Sequence, residues 1–182
     1  MTAGPWTSQI LSQLGLPLRV LRKVLLWFQT AQPERFRRDR FPIYMVESPT
    51  GFYYGFPVID GRGHKLARHD GGSEVVDPLN PDRSLRASDE AECRQFLMSH
   101  IPAAASPLTQ HEVCMYTVTP DQHFILDRHP TSPRVTLGAG FSGHGFKFAS
   151  VIGEILTDLS CQGSTRWPIE RFQLSRFGLH LS

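Results

Sequence analysis

A glycine-rich stretch near the C-terminus holds the densest group of residues that could bind a ligand. It reads Gly138-Ala-Gly-Phe-Ser-Gly-His-Gly-Phe-Lys147. Glycines at such a turn let the backbone approach a ligand closely. A helix that begins there also points free N–H groups and the positive end of its dipole at the ligand. Because His144 and Lys147 add a donor and a positive charge, the stretch predicts a site for an electron-rich group.

The same stretch contains the pattern G-x-G-x-x-G, in Gly138, Gly140 and Gly143. A dinucleotide-binding fold needs this pattern inside a βαβ unit, with an acidic residue about 20 positions further on. Here the chain ends at Ser182, and Pro168 falls in the candidate second strand. A dinucleotide-binding module built on these glycines is therefore a weak hypothesis. A turn that only packs a helix on a sheet is a further alternative.

Two more side chains could do chemistry on predicted strands. Cys114 lies in the segment Glu112-Val-Cys-Met-Tyr-Thr117. A lone cysteine is more often a small buried apolar residue than a nucleophile, and a nucleophile would need His111 or His144 brought close by the fold. Lys65 lies at the centre of an apolar strand, where burying a lysine is costly unless it has a partner or a function.

Three residues could be drawn as a metal site: His123, Asp127 and His129. On a strand, His123 and Asp127 share a face, but His129 follows a predicted turn. We therefore interpret them as polar surface residues and predict no metal.

Composition bounds the class of protein. The chain has 182 residues, which fits one domain, and a formal net charge of +2, too small to predict a nucleic-acid partner. The cysteines, Cys93, Cys114 and Cys161, are odd in number and form no C-x-x-C pair, which favours a reducing compartment. No apolar run is long enough to span a bilayer and no secretory signal opens the chain. We predict a soluble, cytoplasmic protein without a membrane or nucleic-acid partner.

The elements that must position these residues follow from periodicity and from turn residues. Trp6–Leu14, between Pro5 and Gly15, is predicted as a short helix. A helix capped by Ser88 runs to Pro102, and a second amphipathic helix starts at Phe148. Strands are predicted at 18–28, 43–47, 52–56, 64–69, 112–118, 123–127 and 134–137. The pattern indicates an α+β fold with a mixed, largely antiparallel sheet and two long helices.

Five stretches of the chain resemble the C-terminal half of the monomeric sarcosine oxidase and N-methyl-L-tryptophan oxidase family. The order and spacing of these stretches agree with those of the family from Gly4 to Phe177. The stretches are Tyr53-Tyr-Gly-Phe-Pro57, Gly63-His-Lys-Leu-Ala-Arg-His69, Val113-Cys-Met-Tyr-Thr117, Asp121-Gln-His-Phe-Ile-Leu-Asp127 and Gly140-Phe-Ser-Gly-His-Gly-Phe-Lys-Phe-Ala149.

The resemblance implies an FAD-dependent amine oxidase with a two-domain, D-amino-acid-oxidase-like fold. Such an enzyme demethylates an N-methyl amino acid, of the sarcosine or N-methyltryptophan type, to the amino acid, formaldehyde and hydrogen peroxide. Its partners are a small secondary amine and dioxygen, and we expect a monomer at full length.

The resemblance also implies roles for particular residues. Cys114 would hold FAD covalently, and Lys65 would promote oxygen reduction. Lys147 would pair with the substrate carboxylate, while Tyr54, His69 and Tyr116 would line the substrate cavity. Further cofactor contacts, besides Cys114 and Lys147, fall on Gly4, Gly140, Gly143, His144 and Gly145.

The resemblance divides the chain into three segments. Residues 1–16 would end the FAD-binding domain, 17–133 would form the substrate-binding sheet domain, and 134–182 would return to the FAD-binding domain. The family's own dinucleotide fingerprint is absent, so we expect a partial member of the family. The alternative is a truncated, non-catalytic remnant. We also expect the strands that flank Gly138 to lack partners and to leave exposed edges.

Overall fold

The computed structural model describes residues 1–179. Within that range the α-helices are Thr7–Ile10 (α1), Ala87–His100 (α2) and Ala149–Cys161 (α3). The strands are Arg19–Phe28 (β1), Tyr44–Ser48 (β2), Gly51–Phe56 (β3), His64–Arg68 (β4), Leu108–Val118 (β5), Ile125–His129 (β6) and Ser132–Ala139 (β7). The predicted α+β fold, with antiparallel pairing and two long helices, is confirmed. Among residues 1–179, no helix is long and apolar enough to cross a membrane.

The chain forms two compact units. We call Met1–Leu21, Val75–Leu79 and Tyr116–Ser182 the hairpin unit, and Arg22–Glu74 with Asn80–Met115 the sheet unit. Each unit is built from segments that are distant in sequence. The assignment of 1–16, 17–133 and 134–182 to FAD-binding and substrate-binding roles stays a prediction.

The sheet of the sheet unit has the strand order β2-β3-β4-β1-β5. Side chains alternate between its faces, and one face packs against α2. Leu26, Leu66 and Tyr53 are fully buried on that face, together with Phe96 and Leu97 of α2. The Tyr53 and Phe96 rings stack with centroids 4.3 Å apart. Because α2 covers one face, the alternating residues of each strand lie on the other.

The start of α2 is fixed by Asp89 and not by Ser88, so the predicted cap is wrong. The helix begins at Ala87, and the Asp89 carboxylate accepts a hydrogen bond from the Arg86 N–H at 2.9 Å. The two oxygens of the same carboxylate accept hydrogen bonds from Nη1 and Nη2 of Arg22, each at 3.0 Å. This bidentate pair joins β1 to α2, and its buried guanidinium is satisfied further by the carbonyls of Asp82 and Ser84.

The hairpin unit is a two-stranded hairpin between two apolar layers. In the β6–β7 register, Ile125 lies opposite Ala139. These two residues pack with Leu137, Leu11 and Leu174 on one side. The other side of the hairpin packs against α3, through the side chains Phe124, Leu126, Ile152, Ile155, Leu159 and Ile169. The predicted apolar stripe of α3 is therefore confirmed as its buried face.

The strand before Gly138 has partners on both sides, contrary to our expectation. It pairs with β6 along one side. On the other side, the Gly138 N–H donates to the Met1 carbonyl at 2.9 Å, and the Met1 amino group donates to the Thr136 carbonyl. The chain start thus lies against β7.

Candidate functional site

Lys65 lies on the face of the sheet opposite to α2. The strand register places it across from Trp27 on β1 and from Phe56 on β3. Its Nζ atom is 5.3 Å from the centre of the Trp27 ring and 5.1 Å from that of Phe56. Cation–π contact with both rings fixes the half-buried ammonium. We call the residues on this side of the sheet the Lys65 face.

Cys114 on β5 is half-buried, and the ammonium groups of Lys65 and Lys23 both act on its thiol. Burial raises the pKa of the Cys114 thiol, and the charges of Lys65 and then Lys23 oppose that rise. Burial likewise lowers the pKa of Lys65, while Cys114 raises it. The structure therefore brings the predicted Cys114 and Lys65 into one electrostatic cluster.

Two other predicted residues join the same face. Tyr54 is paired with Ala67 in the β3–β4 register, two positions from Lys65. His69 follows β4, and its ring lies 5.4 Å from the Phe52 ring and 6.2 Å from the Tyr54 ring, edge-on to both. Lys65, Tyr54 and His69 thus share one face of the sheet, and Cys114 on β5 is close enough for the charge of Lys65 to act on its thiol.

Lys23 is a residue of this cluster that the sequence interpretation missed. It is 4% exposed, and its Nζ donates to the carbonyls of His69, Asp70 and Gly71 at 2.6, 2.7 and 2.7 Å. Burial lowers its pKa to about 8, and Asp70 opposes the shift. The sequence does contain a signal for Lys23: it lies inside the apolar run of β1, where burying a lysine is as costly as it is for Lys65.

The structure does not support His111 as a base for Cys114, and it does not support a metal site at His123, Asp127 and His129. His111 has the opposite strand parity to Cys114, and its Nε2 lies 3.3 Å from the Arg83 carbonyl. Asp127 and His129, which we predict at the surface, are buried and have only 7% and 5% of their surface exposed. Asp127 instead accepts a hydrogen bond from the Leu174 N–H at 2.8 Å, which ties the C-terminal segment to β6. Within residues 1–179, no cluster of these residue types is placed to hold a metal.

The predicted glycines of the hairpin unit shape a tight turn between β7 and α3. Gly143 has φ +80°, and a Cβ there would overlap the ring of Tyr116. Gly140 has φ +62°, and a Cβ there would lie 2.5 Å from the Thr119 methyl carbon. A Cβ at Gly145 would lie 2.6 Å from that of Phe141. Close packing in and around the turn explains these glycines, and the turn packs against the Tyr116 ring.

His144 and Lys147 follow that turn. His144 Nδ1 lies 3.1 Å from the Ser142 carbonyl, and its ring is 4.9 Å from that of Phe124. Lys147 is exposed, in a 3₁₀ turn that precedes α3. The two side chains line a groove of about 370 Å³ whose other walls are mainly apolar. The groove thus combines a cation with an aromatic surface.

The dinucleotide-module hypothesis lacks its second strand. In residues 162–179 the structure describes 3₁₀ helices and turns but no strand after α3. A βαβ unit therefore does not follow Gly138–Gly143 in the described chain. Gly4, a further predicted cofactor contact, has φ +53° and open space where a Cβ would lie.

Known proteins share the sequence and the fold of this chain. Residues 1–159 match the family described as FAD dependent oxidoreductase. The chain is 41% identical over 179 residues to a monomeric sarcosine oxidase from Arthrobacter sp. (strain TE1826), covering 97% of this chain and 46% of that protein. It is 36% identical over 180 residues to N-methyl-L-tryptophan oxidase from Salmonella typhi, covering 97% and 47%.

A solved structure shares the fold. Fructosamine oxidase (Amadoriase II) from Aspergillus fumigatus superposes with a TM-score of 0.76 at 22% identity, covering 94% of this chain and 43% of that one. The chain spans about half the length of the relatives that it matches. By sequence and by fold, the chain belongs to the FAD dependent oxidoreductase family.

Proposed function

We propose that this chain is part of an FAD-dependent oxidase that demethylates N-methyl amino acids. The reaction takes a secondary N-methyl amine, dioxygen and water to the free amino acid, formaldehyde and hydrogen peroxide. The observation that carries the proposal is the Lys65 face, where the Lys65 ammonium contacts the Trp27 and Phe56 rings and the His69 ring lies beside that of Tyr54. The similarity to sarcosine and N-methyltryptophan oxidases supports it.

The residues of the Lys65 face fit a flavin. An isoalloxazine ring is flat and has carbonyl oxygens along one edge, so it suits a surface that offers aromatic side chains, fixed cations and a thiol. Trp27, Phe56 and Tyr54 supply the aromatic surface, and Lys65 and Cys114 the cation and the thiol. When bound, FAD would accept two electrons from the amine and pass them to dioxygen.

Cys114 is the residue that we propose as the covalent link to FAD. Attachment through a thioether requires the thiolate, and burial holds the Cys114 thiol in its protonated form. The ammonium groups of Lys65 and Lys23 favour the thiolate and so act in the direction of attachment.

Lys65 is proposed to assist the reduction of dioxygen. Negative charge develops on oxygen as it takes up electrons, and a fixed cation stabilises that charge without having to move. The Trp27 and Phe56 rings hold the Lys65 ammonium in place before the reaction begins.

The amine substrate is proposed to contact Tyr54, His69 and Tyr116. Aromatic rings bind a cationic amine without a charged partner. Lys147, an exposed cation, is proposed to pair with the substrate carboxylate. Cofactor contacts at Gly4, Gly140, Gly143, His144 and Gly145 belong to the same proposal, as do a monomeric state at full length and a cytoplasmic location.

The test combines this chain with the half of a relative that it does not cover. The 182-residue chain is produced alone and together with the N-terminal half of the Arthrobacter relative, and each sample is given sarcosine or N-methyl-L-tryptophan. The proposal predicts equal amounts of formaldehyde and hydrogen peroxide from the two-part complex. A folded two-part complex that binds FAD and releases neither product would favour the alternative of a non-catalytic remnant.

A further inference from the structure

Lys23 uses all three of its ammonium protons on one short piece of backbone. The acceptors are the successive carbonyls of His69, Asp70 and Gly71, at 2.6 to 2.7 Å. An ammonium has three donors and no acceptor, so this side chain is fully satisfied inside the protein. Three charge-assisted hydrogen bonds to consecutive residues restrict a turn far more than one would.

The turn that Lys23 holds is fixed from both sides. From β1, the Arg22 N–H donates to the Ser73 carbonyl at 2.8 Å. Gly72 approaches so closely that a Cβ would lie 2.7 Å from the Arg22 carbonyl oxygen. From β3, the Phe52 N–H donates to the Asp70 carboxylate at 2.9 Å. Of these anchors, it is Lys23 that reaches the His69 carbonyl.

His69 is the first residue of this turn, and its backbone is held at both polar atoms. Its N–H donates to the Phe52 carbonyl at 2.7 Å, and its carbonyl accepts from Lys23. With the backbone held in this way, the Cα–Cβ bond of His69 points in a fixed direction. The imidazole lies edge-on to the Phe52 and Tyr54 rings, on the Lys65 face.

We propose that Lys23 is a positioning residue: its three hydrogen bonds to residues 69–71 set the direction of the His69 imidazole on the Lys65 face. We call the three hydrogen bonds from Lys23 to residues 69–71 the clamp. The role of His69 toward the amine rests on the proposed function, whereas the clamp does not. Lys23 would then act on the reaction through His69 and not by touching the substrate. The charged or titratable groups that act on its ammonium include Asp70, Arg68 and Cys114.

The direct test uses NMR on the 182-residue chain, without FAD. His69 is assigned with H69Q, and the nuclear Overhauser effects from its ring to the Phe52 and Tyr54 rings are measured. In K23M these effects should fall to less than about half, because the ring direction is no longer fixed. The Phe96–His100 pair, with ring centroids 4.5 Å apart, should keep its own effects as the reference for an intact fold.

The matched control is R62M, which removes another cation close to the Trp27 ring. It should leave the nuclear Overhauser effects of His69 unchanged. If K23M does not fold, K23Q takes its place, and its shorter amide should weaken the effects only partly. Unchanged effects from the His69 ring in whichever variant folds would overturn the proposal.

A further measurement needs no variant. The chain has three lysines, so their Nζ groups give three separable ¹⁵N signals. The Lys23 protons should exchange with water at least about tenfold more slowly than those of the exposed Lys147. Equal exchange rates for the two lysines would contradict the clamp.

Kinetics of the two-part, FAD-loaded complex connect the clamp to the reaction. K23M should raise KM for the amine about tenfold and change kcat by less than about threefold, since it loosens a binding residue. If the His69 ring reorients in K23M while KM stays unchanged, the positioning role is overturned. Should the wild-type complex show no oxidase activity, the proposed function fails, and the NMR measurements still decide whether the clamp exists.

Discussion

Lys65 on β4 lies directly across from Trp27 on β1, with its Nζ 5.3 Å from the centre of the Trp27 ring. The pairing is set by sheet register, so the ammonium is positioned by backbone hydrogen bonds and not by a flexible loop. Its charge also acts on Cys114 on β5. The thiol that we propose for cofactor attachment and the cation that we propose for oxygen reduction thus lie on two strands of the same sheet.

Replacing Lys65 with methionine should separate the two halves of the reaction. In the FAD-loaded two-part complex, K65M should slow reoxidation by dioxygen about 100-fold, because the fixed positive charge is lost. Anaerobic reduction by the amine should change less than about threefold. Stopped-flow absorbance measures both steps, with R62M as the control cation near Trp27. Equal slowing of both steps would argue against an oxygen-directed role.

The reactivity of Cys114 should report the two neighbouring lysines. Because burial raises the pKa of its thiol, the thiolate fraction at pH 8 is low, and alkylation by iodoacetamide should accelerate as the pH rises further. Removing the opposing charge in K65M should raise the pKa further and slow alkylation at pH 8 severalfold. Mass spectrometry of tryptic peptides gives the rates, with the exposed Cys161 as an internal reference. Faster alkylation in K65M would show that the Lys65 ammonium does not favour the Cys114 thiolate.

Two glycine-to-alanine substitutions in the hairpin unit should have opposite effects on stability. Gly143 has φ +80° and faces the Tyr116 ring, so G143A should cost about 2–4 kcal/mol in the free energy of unfolding. Gly153 lies inside α3 with open space for a Cβ, so G153A should add about 0.5–1 kcal/mol. Urea unfolding monitored by circular dichroism measures both. A neutral G143A would mean that the turn repacks easily.

Much of the fold could be predicted because local patterns and turn residues agree with it. The alternation along β1, the Ser48–Gly51 turn between β2 and β3, and the apolar stripe of α3 all fix elements within a few residues of their sequence signals. Lys65 was also found this way, since a cation in an apolar strand requires an explanation.

The residues that were missed or misplaced depend on pairings between distant segments. Asp127 was predicted at the surface, yet it is buried because Leu174, 47 positions later, supplies a backbone donor. Lys23 is satisfied by a turn 46 to 48 positions away. His111 and Cys114 lie close in sequence, but strand parity separates them. No local pattern encodes such pairings.

The covalent attachment of FAD at Cys114 is the claim on which the account most depends. The two-part complex is denatured in acid and digested, and the peptides are analysed by mass spectrometry. We predict that the peptide containing Cys114 carries the mass of FAD, that C161S retains this adduct, and that C114S yields a precipitate without flavin. A colourless wild-type precipitate from a complex that had bound FAD, or flavin on a peptide other than that of Cys114, would contradict the account.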